Sequence, residues 1–288
     1  MSAEQPWTIG RVLDWTRGSF ERKGIDTPRL DAELLIGHAL GLERIGLYLH
    51  HHKPLHPDEL TQIRGLVERR RALEPIHYIL GSREFWSLEL KVDRRVLIPR
   101  PDTERLVEVA LAHLDHSATH VLDLCCGSGA IALALGSERA QLSILATDFS
   151  DDALAVAKDN RDTLERTNVK LLKSDLFSNI EGRFDMIVCN PPYIRSNDIQ
   201  GLMVDVSHYE PASALDGGED GLEFYRKIIS SAPDFLTPNG QLIFEIGHDQ
   251  ANALRELFNS NPVWVWGGSF QDLSGHDRVV RAMLAPAD

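Results

Sequence analysis

From residue 120 onward, short unbroken apolar runs alternate with segments of helical periodicity. HVLDLCC, LSILATD, VKLLKSD, FDMIVCN and QLIFEIG are the strand candidates; AIALALGSE, DDALAVAKDNRDTLE, GLEFYRKIISSA and QANALRELFN are the helices among them. A strand that is apolar on both faces must be covered on both, which a mostly parallel sheet with helices on either side provides. Two more strands, around WVWGGSF and RVVRAML, are separated only by the polar turn DLSGHD. That turn is too short for a parallel crossover, so the sheet should end in an antiparallel hairpin. The expected architecture is α/β, with a doubly wound and largely parallel sheet.

The first eighty residues read differently. TIGRVLDWTRGSFERKG, PRLDAELLIGHALG, ERIGLYLHH and HPDELTQIRGLVERRRALE each space apolar residues as a helix does. Proline at Thr27-Pro28 and Pro57-Asp58 suits a first helical turn. The run Arg69, Arg70, Arg71 reads as a solvated helix end. His50, His51, His52 and His56 have no carboxylate or cysteine at ligand spacing, so no native metal site is expected there. Leu88, Leu90 and Val92 alternate, a polar turn follows at Asp93, Arg94 and Arg95, and then come Val96, Leu97 and Ile98, a pattern that predicts a β-hairpin. The expected division is a helical domain over 1–82, a β-hairpin linker over 83–101, and the α/β domain over 102–288.

Bulk properties narrow the function. Thirty basic against 43 acidic residues give a net charge of −13. Non-specific nucleic-acid affinity comes chiefly from Lys and Arg, so direct nucleic-acid binding is not expected, and a protein partner or a cationic small molecule fits better. No apolar run approaches the roughly 18 residues of a membrane span. MSAEQPWTIGRV lacks the pattern of a signal peptide, so a cytoplasmic location is expected. Cys125, Cys126 and Cys189 read as small reduced core thiols.

In open α/β sheets, ligands bind beyond the carboxyl ends of the strands. The first strand ends in Asp123-Leu124-Cys125-Cys126-Gly127-Ser128-Gly129 and runs straight into a helix. Its glycines allow a tight turn and close approach of backbone to ligand. Asp148, about twenty residues beyond that loop, has the spacing of a carboxylate that grips a ribose diol. The third strand ends in Ser174-Asp175-Leu176-Phe177, able to offer a carboxylate and an apolar wall to an adenine ring. The loop lacks G-x-G-x-x-G, and Asp123 stands where a pyrophosphate would be repelled. A ligand with ribose, adenine, positive charge and no phosphate fits, and S-adenosylmethionine is one.

The fourth strand ends in Asn190-Pro191-Pro192-Tyr193. Neither proline can donate to a ladder, and the residue before proline is held extended. Asn190 Oδ1 and a carbonyl of the Pro-Pro unit therefore make two acceptors in fixed geometry, suited to a planar –NH₂ group. Tyr193 offers a flat face against that plane.

VLDLCCGSGAIALAL, ATDFS, SDLF and NPPY, in this order, resemble the class I S-adenosylmethionine-dependent N-methyltransferases. EPIHYILGSREFWSLELKVDRRVLIPRPDTERLVE and HYEPASALDGGEDGLEFYR are similar to the release factor glutamine N5-methyltransferases, the HemK/PrmC family. The resemblance implies a Rossmann-like class I methyltransferase sheet. It also implies methylation of the side-chain amide of the glutamine in the Gly-Gly-Gln motif of class I peptide-chain release factors. Carried over by position, the cofactor residues are 125–129, Asp148, Asp175 or its neighbour Leu176, and Asn190, with the substrate amide at Asn190 to Tyr193. The family's loop usually begins with glycine where this chain has Cys125. The other readings are a glutamine methyltransferase of a ribosomal protein, a nucleic-acid amino-group methyltransferase, and a non-catalytic adenosine-binding scaffold. Against the first stands Arg-Pro-Asp-Thr-Glu at 100–104; against the second, the lack of a target-recognition domain and basic surface; against the third, an intact NPPY.

Overall fold

The computed structural model describes residues 6–115 and 117–286. They form two compact units. One is the chain up to Gly81 together with Met203–Tyr209, and the other is Ser82–Leu202 together with the chain from Glu210 on. The return of 203–209 to the first unit lies outside the three-part division expected from the sequence.

The first unit is helical: α1 (Ile9–Lys23), α2 (Pro28–Leu40), α3 (Arg44–Leu49), α4 (Pro57–Arg71) and a short α5 (Ile76–Leu80) that the periodicity did not reveal. Thr8 caps α1 by accepting from the Arg11 amide, and Gly24 and Gly41 end α1 and α2 in the left-handed conformation. Ile9, Phe20, Leu35, Ile36 and Leu47 are sealed in its core. Arg70 departs from the expected solvated helix end. It is buried, and its Nε donates to Asp31 Oδ2 at 2.7 Å while Nη1 donates to the Glu74 carbonyl at 3.0 Å. A buried guanidinium persists only with such partners. Glu33 on α2 is a second buried charge, receiving Arg29 and Arg44, each through Nε at 2.8 Å, and the Tyr48 hydroxyl. Burial alone would raise its pKa, but the bonds from Tyr48, Arg29 and Arg44 outweigh burial and hold it down to about 2.

The second unit opens with β1 (Ser82–Phe85) and β2 (Leu88–Lys91), an antiparallel pair. The hairpin expected with its turn at 93–95 is thus displaced. The turn is Trp86-Ser87, both at positive φ (53° and 57°), and Val96 to Ile98 form no strand. Such a turn usually takes Asn-Gly. Here tertiary bonds hold it, because the Trp86 amide donates to Glu104 Oε1 at 2.9 Å and its indole to Glu138 Oε1 at 2.8 Å. Asp93 instead folds locally onto Arg95, accepting from both its amide and its guanidinium.

Then follow α6 (Glu104–His113), β3 (His120–Leu124), α7 (Ala130–Glu138), β4 (Ser143–Asp148), α8 (Asp151–Thr163), β5 (Val169–Lys173) and β6 (Phe184–Cys189). After the short α9 (Val204–Ser207) of the first unit come α10 (Glu223–Ser231), β7 (Leu236–Glu245), α11 (Ala251–Asn259), β8 (Trp264–Gln271) and β9 (Asp277–Leu284). The seven strands lie in the order β5-β4-β3-β6-β7-β9-β8. The first five in that row are parallel, and β9 and β8 form the expected antiparallel end. Alternate residues feed two cores: Val121, Met186, Val188 and Ile243 join one face, while Leu122, Leu124, Ile187, Leu242 and Phe244 join the other. The chain order reverses between β3 and β6, which opens a crevice at their carboxyl ends.

Candidate active site

A cavity of about 300 Å³ occupies that crevice. Of the residues expected to bind a cofactor, Cys125, Cys126, Gly127, Ser128, Asp148 and Asn190 line it, and so does Pro192 of the substrate motif. The loop after β3 is pinned by Cys126 N–H to the Thr147 carbonyl (2.9 Å) and Gly129 N–H to the Cys126 carbonyl (2.8 Å). Gly127 has φ 53°, and a Cβ built there meets no atom within 4 Å, so bare backbone borders open space. Cys125 also has positive φ, 57°, where a Cβ costs roughly 1–2 kcal/mol. This is the physical content of the departure at that position: the turn is kept, at a strain that glycine would avoid.

Asp148 Oδ2 accepts from the Gly127 amide at 2.9 Å and Oδ1 from the Ser150 amide at 3.0 Å. Burial raises its pKa, and these amides oppose the rise. The carboxylate is thus held in one orientation with lone pairs to spare for a diol. Asp123 does not line the cavity. It is buried beneath the loop, where Oδ2 accepts from the Ala132 amide at 3.0 Å and Oδ1 has no partner among the described residues. Burial pushes its pKa up to about 8. Gly129 lies behind the lining, with a Cβ position 3.3 Å from Leu133. Asp175 and Leu176 are not in the cavity either. Leu176 turns at φ 46° and packs toward the core, and Asp175 is exposed on an adjoining hollow of about 840 Å³ that shares Phe149 with the first. Phe149, exposed and next in sequence to Asp148, supplies the apolar wall that the sequence reading assigned to the third strand. The bare glycine backbone, the oriented carboxylate and the adjacent ring fit a ribose-and-adenine ligand.

The NPPY segment is held from behind. Ile194 N–H donates to the Leu215 carbonyl at 3.0 Å, Gly217 N–H to the Ile194 carbonyl at 2.8 Å, and Gln250 Nε2 to the Tyr193 carbonyl at 3.0 Å. Tyr193 does not line the cavity; its partly exposed ring sends the hydroxyl inward, to Glu245 Oε1 at 3.2 Å. Asn190 Nδ2 donates to Thr103 Oγ1 at 3.4 Å. Sequence reasoning missed Thr103, Glu245 and Gln250 as site residues. The first lay in a quoted motif, the second at a strand's carboxyl end, and the third carried no signal.

Residues 104–207 match the family described as methyltransferase small domain, and residues 11–81 the PrmC N-terminal domain. A methyltransferase structure from Pyrococcus furiosus shares the fold, with a TM-score of 0.51 at 18% identity over 77% of this chain and 96% of that one. Fold and site together define a methyltransferase. A release factor glutamine methyltransferase of Geobacter sulfurreducens is 46% identical over 95% of this chain and 96% of its own length. One from Rhodopirellula baltica is 38% identical over 99% of each. The chain belongs to the release factor glutamine methyltransferase family.

Proposed function

We propose that the protein transfers a methyl group from S-adenosylmethionine to the side-chain amide nitrogen of the glutamine in the Gly-Gly-Gln motif of class I release factors. The observation that carries this is Asn190 and Pro192 at the mouth of β6, on the wall of the cavity that Gly127 and Asp148 also line.

S-adenosylmethionine, when bound, supplies an electrophilic methyl group on a sulfonium. The chain's part is to bind and to aim. Asp148 would hold the ribose hydroxyls, the backbone at 126–128 the body of the ligand, and Phe149 the adenine. An amide nitrogen is a poor nucleophile because its lone pair is delocalised, so fixing it within about 3–3.5 Å of the reacting carbon is the main contribution. Asn190 Oδ1 and a carbonyl of the Pro-Pro unit accept its two N–H bonds, and both acceptors strengthen as the nitrogen becomes positive. No strong base is needed, because the N–H becomes acidic only as alkylation proceeds. Tyr193, tied down at its hydroxyl and its carbonyl, fixes the far end of the motif.

One glutamine side chain is too small to select a protein. In this reading the helical unit docks the bulk of the release factor, using exposed apolar residues such as Trp15, Ile45 and Leu49. A release-factor substrate also places the enzyme in the cytoplasm, and no described helix is long and apolar enough to cross a membrane.

The test is incubation with labelled S-adenosylmethionine and purified release factors, with the methyl mapped by mass spectrometry. Label on the motif glutamine is expected, and its loss in Asn190→Ala with cofactor affinity kept. Label on another residue, or wild-type turnover by Asn190→Ala, would refute the proposal.

A further inference from the structure

Between Asn190 and Tyr193 the chain runs through two prolines, which have no N–H to give to a sheet or a loop. In the reaction proposed above, a carbonyl of that Pro-Pro unit is also reserved for the substrate. Little main chain is left by which the segment can be held. Among the described residues, the main chain from Pro191 to Tyr193 makes one hydrogen bond, from Gln250 Nε2 to the Tyr193 carbonyl at 3.0 Å.

Gln250 is buried at the start of α11, where its own N–H donates to the Gly247 carbonyl at 3.0 Å. Its Nε2 donates a second time, to the Gly221 carbonyl at 3.2 Å, and its Oε1 accepts from the Gly247 amide at 2.9 Å. The Tyr225 hydroxyl lies 3.4 Å from Oε1, and its shorter bond, 2.9 Å, runs to the Glu245 carbonyl. Carbonyls can only accept and an amide N–H can only donate, so the three backbone partners fix which end of the Gln250 side chain faces which. Three stretches of chain meet there: the exit of β6 at Tyr193, the loop at Gly221, and the exit of β7 at Gly247. Gly221, at φ 75°, belongs to the fit. A Cβ built on it would fall 2.5 Å from the Tyr193 carbonyl oxygen and 2.9 Å from Gln250 Nε2, in the space the bond occupies.

A buried amide is unfavourable unless its groups are paired, and an apolar side chain would fill the same space without that demand. What the amide adds is direction, since its bonds set where the Tyr193 carbonyl must lie. We propose that Gln250 is a positioning residue for methyl transfer. It clamps the Tyr193 carbonyl to the loop at Gly221 and to the exit of β7, so that the NPPY segment keeps its place on the cavity wall while a substrate amide draws on its acceptors. The inference rests on the role given to NPPY above. Gln250 does not line the cavity, so it acts through Tyr193. Its effect falls on kcat, because a misplacement of about 1 Å in the reacting geometry can cost about a hundredfold in rate.

The experiment compares full-length wild type with Gln250→Met, Gln250→Glu and Asn190→Ala, well below each Tm. It measures kcat and KM on a purified release factor and calorimetric affinity for S-adenosylmethionine. Gln250→Met keeps the length of the side chain and loses both donors. Its kcat should fall about tenfold or more, with KM and cofactor affinity held within about twofold. Gln250→Glu keeps the acceptor for Gly247 but, while ionised, also loses both donors. Burial and two facing carbonyl oxygens raise the pKa of a carboxyl at that position, and once protonated it can donate to one of them. Its kcat relative to wild type should therefore recover as pH falls from about 8 to about 6. The other titratable groups around the position are Tyr225, Glu245, His248, Asp249 paired with Arg195 at 2.8 Å, and Asp220 paired with Arg226 at 3.1 Å. Wild type carries them too, so the ratio isolates the substitution. Wild-type kcat in Gln250→Met, with Asn190→Ala inactive, would overturn the clamp and leave the role of Asn190 standing. Wild-type kcat in Asn190→Ala would overturn both. A loss of cofactor affinity matching the loss of kcat would also overturn the clamp, because a general loosening of the site gives that result. So would a ratio in Gln250→Glu that does not change with pH, and Gln250→Met decides the matter if that variant does not fold.

Discussion

Gly217 lies directly behind the NPPY segment. A Cβ built on it falls 2.7 Å from Tyr193 Cα, 2.8 Å from the Pro192 carbonyl oxygen and 2.9 Å from the Tyr193 carbonyl carbon. All three are backbone atoms, so no side chain can swing aside to make room. Ordinary carbon–carbon contact begins near 3.5 Å, so Gly217→Ala requires a separation of roughly 0.8 Å. The strain can be relieved by breaking the Gly217 N–H bond to Ile194, or by pushing Pro192 and Tyr193 toward the cavity. Overpacking of this kind costs about 1–3 kcal/mol, which in a chain of this size lowers Tm by roughly 2–8 °C. Displacement of a positioning group by nearly 1 Å can cost about a hundredfold in rate, so kcat should fall roughly 30–100-fold. Affinity for S-adenosylmethionine should change by less than about twofold, because Gly127 and Asp148 are not in the strained segment. Gly65→Ala, on an exposed face of α4 where a Cβ meets nothing within 4 Å, serves as the control. Steady-state methylation of a release factor, calorimetric cofactor binding and thermal unfolding give the three quantities. A Gly217→Ala enzyme with wild-type kcat would refute the reasoning that this close approach fixes the motif.

Asp148→Asn should weaken cofactor binding by about tenfold or more, since one oriented acceptor becomes a donor; equal calorimetric affinity would remove Asp148 from the ribose site. Glu33 has its folded pKa lowered to about 2 from an ordinary 4.5, so its stabilising contribution is present above 4.5 and lost as pH falls toward 2. That contribution is about 3 kcal/mol, so the gap in denaturation free energy between wild type and Glu33→Gln should shrink as pH falls from 5 toward 2; a gap that does not change with pH would show the charge network to be inert. Ile45→Asp combined with Leu49→Asp alters only exposed positions on α3 and should raise KM for the intact release factor about tenfold with kcat and Tm kept. An unchanged KM would remove that surface from substrate docking.

The α/β sheet was legible because its parallel strands are apolar runs, four of the five with polar punctuation at the end where the cavity lies. NPPY was legible for the same reason, since two prolines after a buried strand have few structural uses. What escaped the sequence is held by distant partners. The Trp86-Ser87 turn has no local turn signal, because Glu104 and Glu138 stabilise it from 18 and 52 residues away. Arg70 reads as one of three surface charges until Asp31, 39 residues earlier, is placed against it. Glu245 looks like the polar end of a strand, and only the fold brings Tyr193 to it across 52 positions. Asp175 was placed by its position at a strand's end, but the backbone turns at Leu176 and leaves it on the neighbouring hollow.

The segment Met203–Tyr209 gives the helical unit a history as well as a shape. Asp205 approaches Arg70 at 3.9 Å, and the Tyr209 hydroxyl donates to the Ala72 carbonyl at 2.9 Å across 137 positions. Chains grow from the N-terminus at about 5–20 residues per second, so these contacts become available roughly 6–26 s after the helices themselves have been made. Through that interval the N-terminal helices are on their own, with Arg70 held by Asp31 and Glu74 alone. The helices of this unit are therefore made well before the segment that completes their packing.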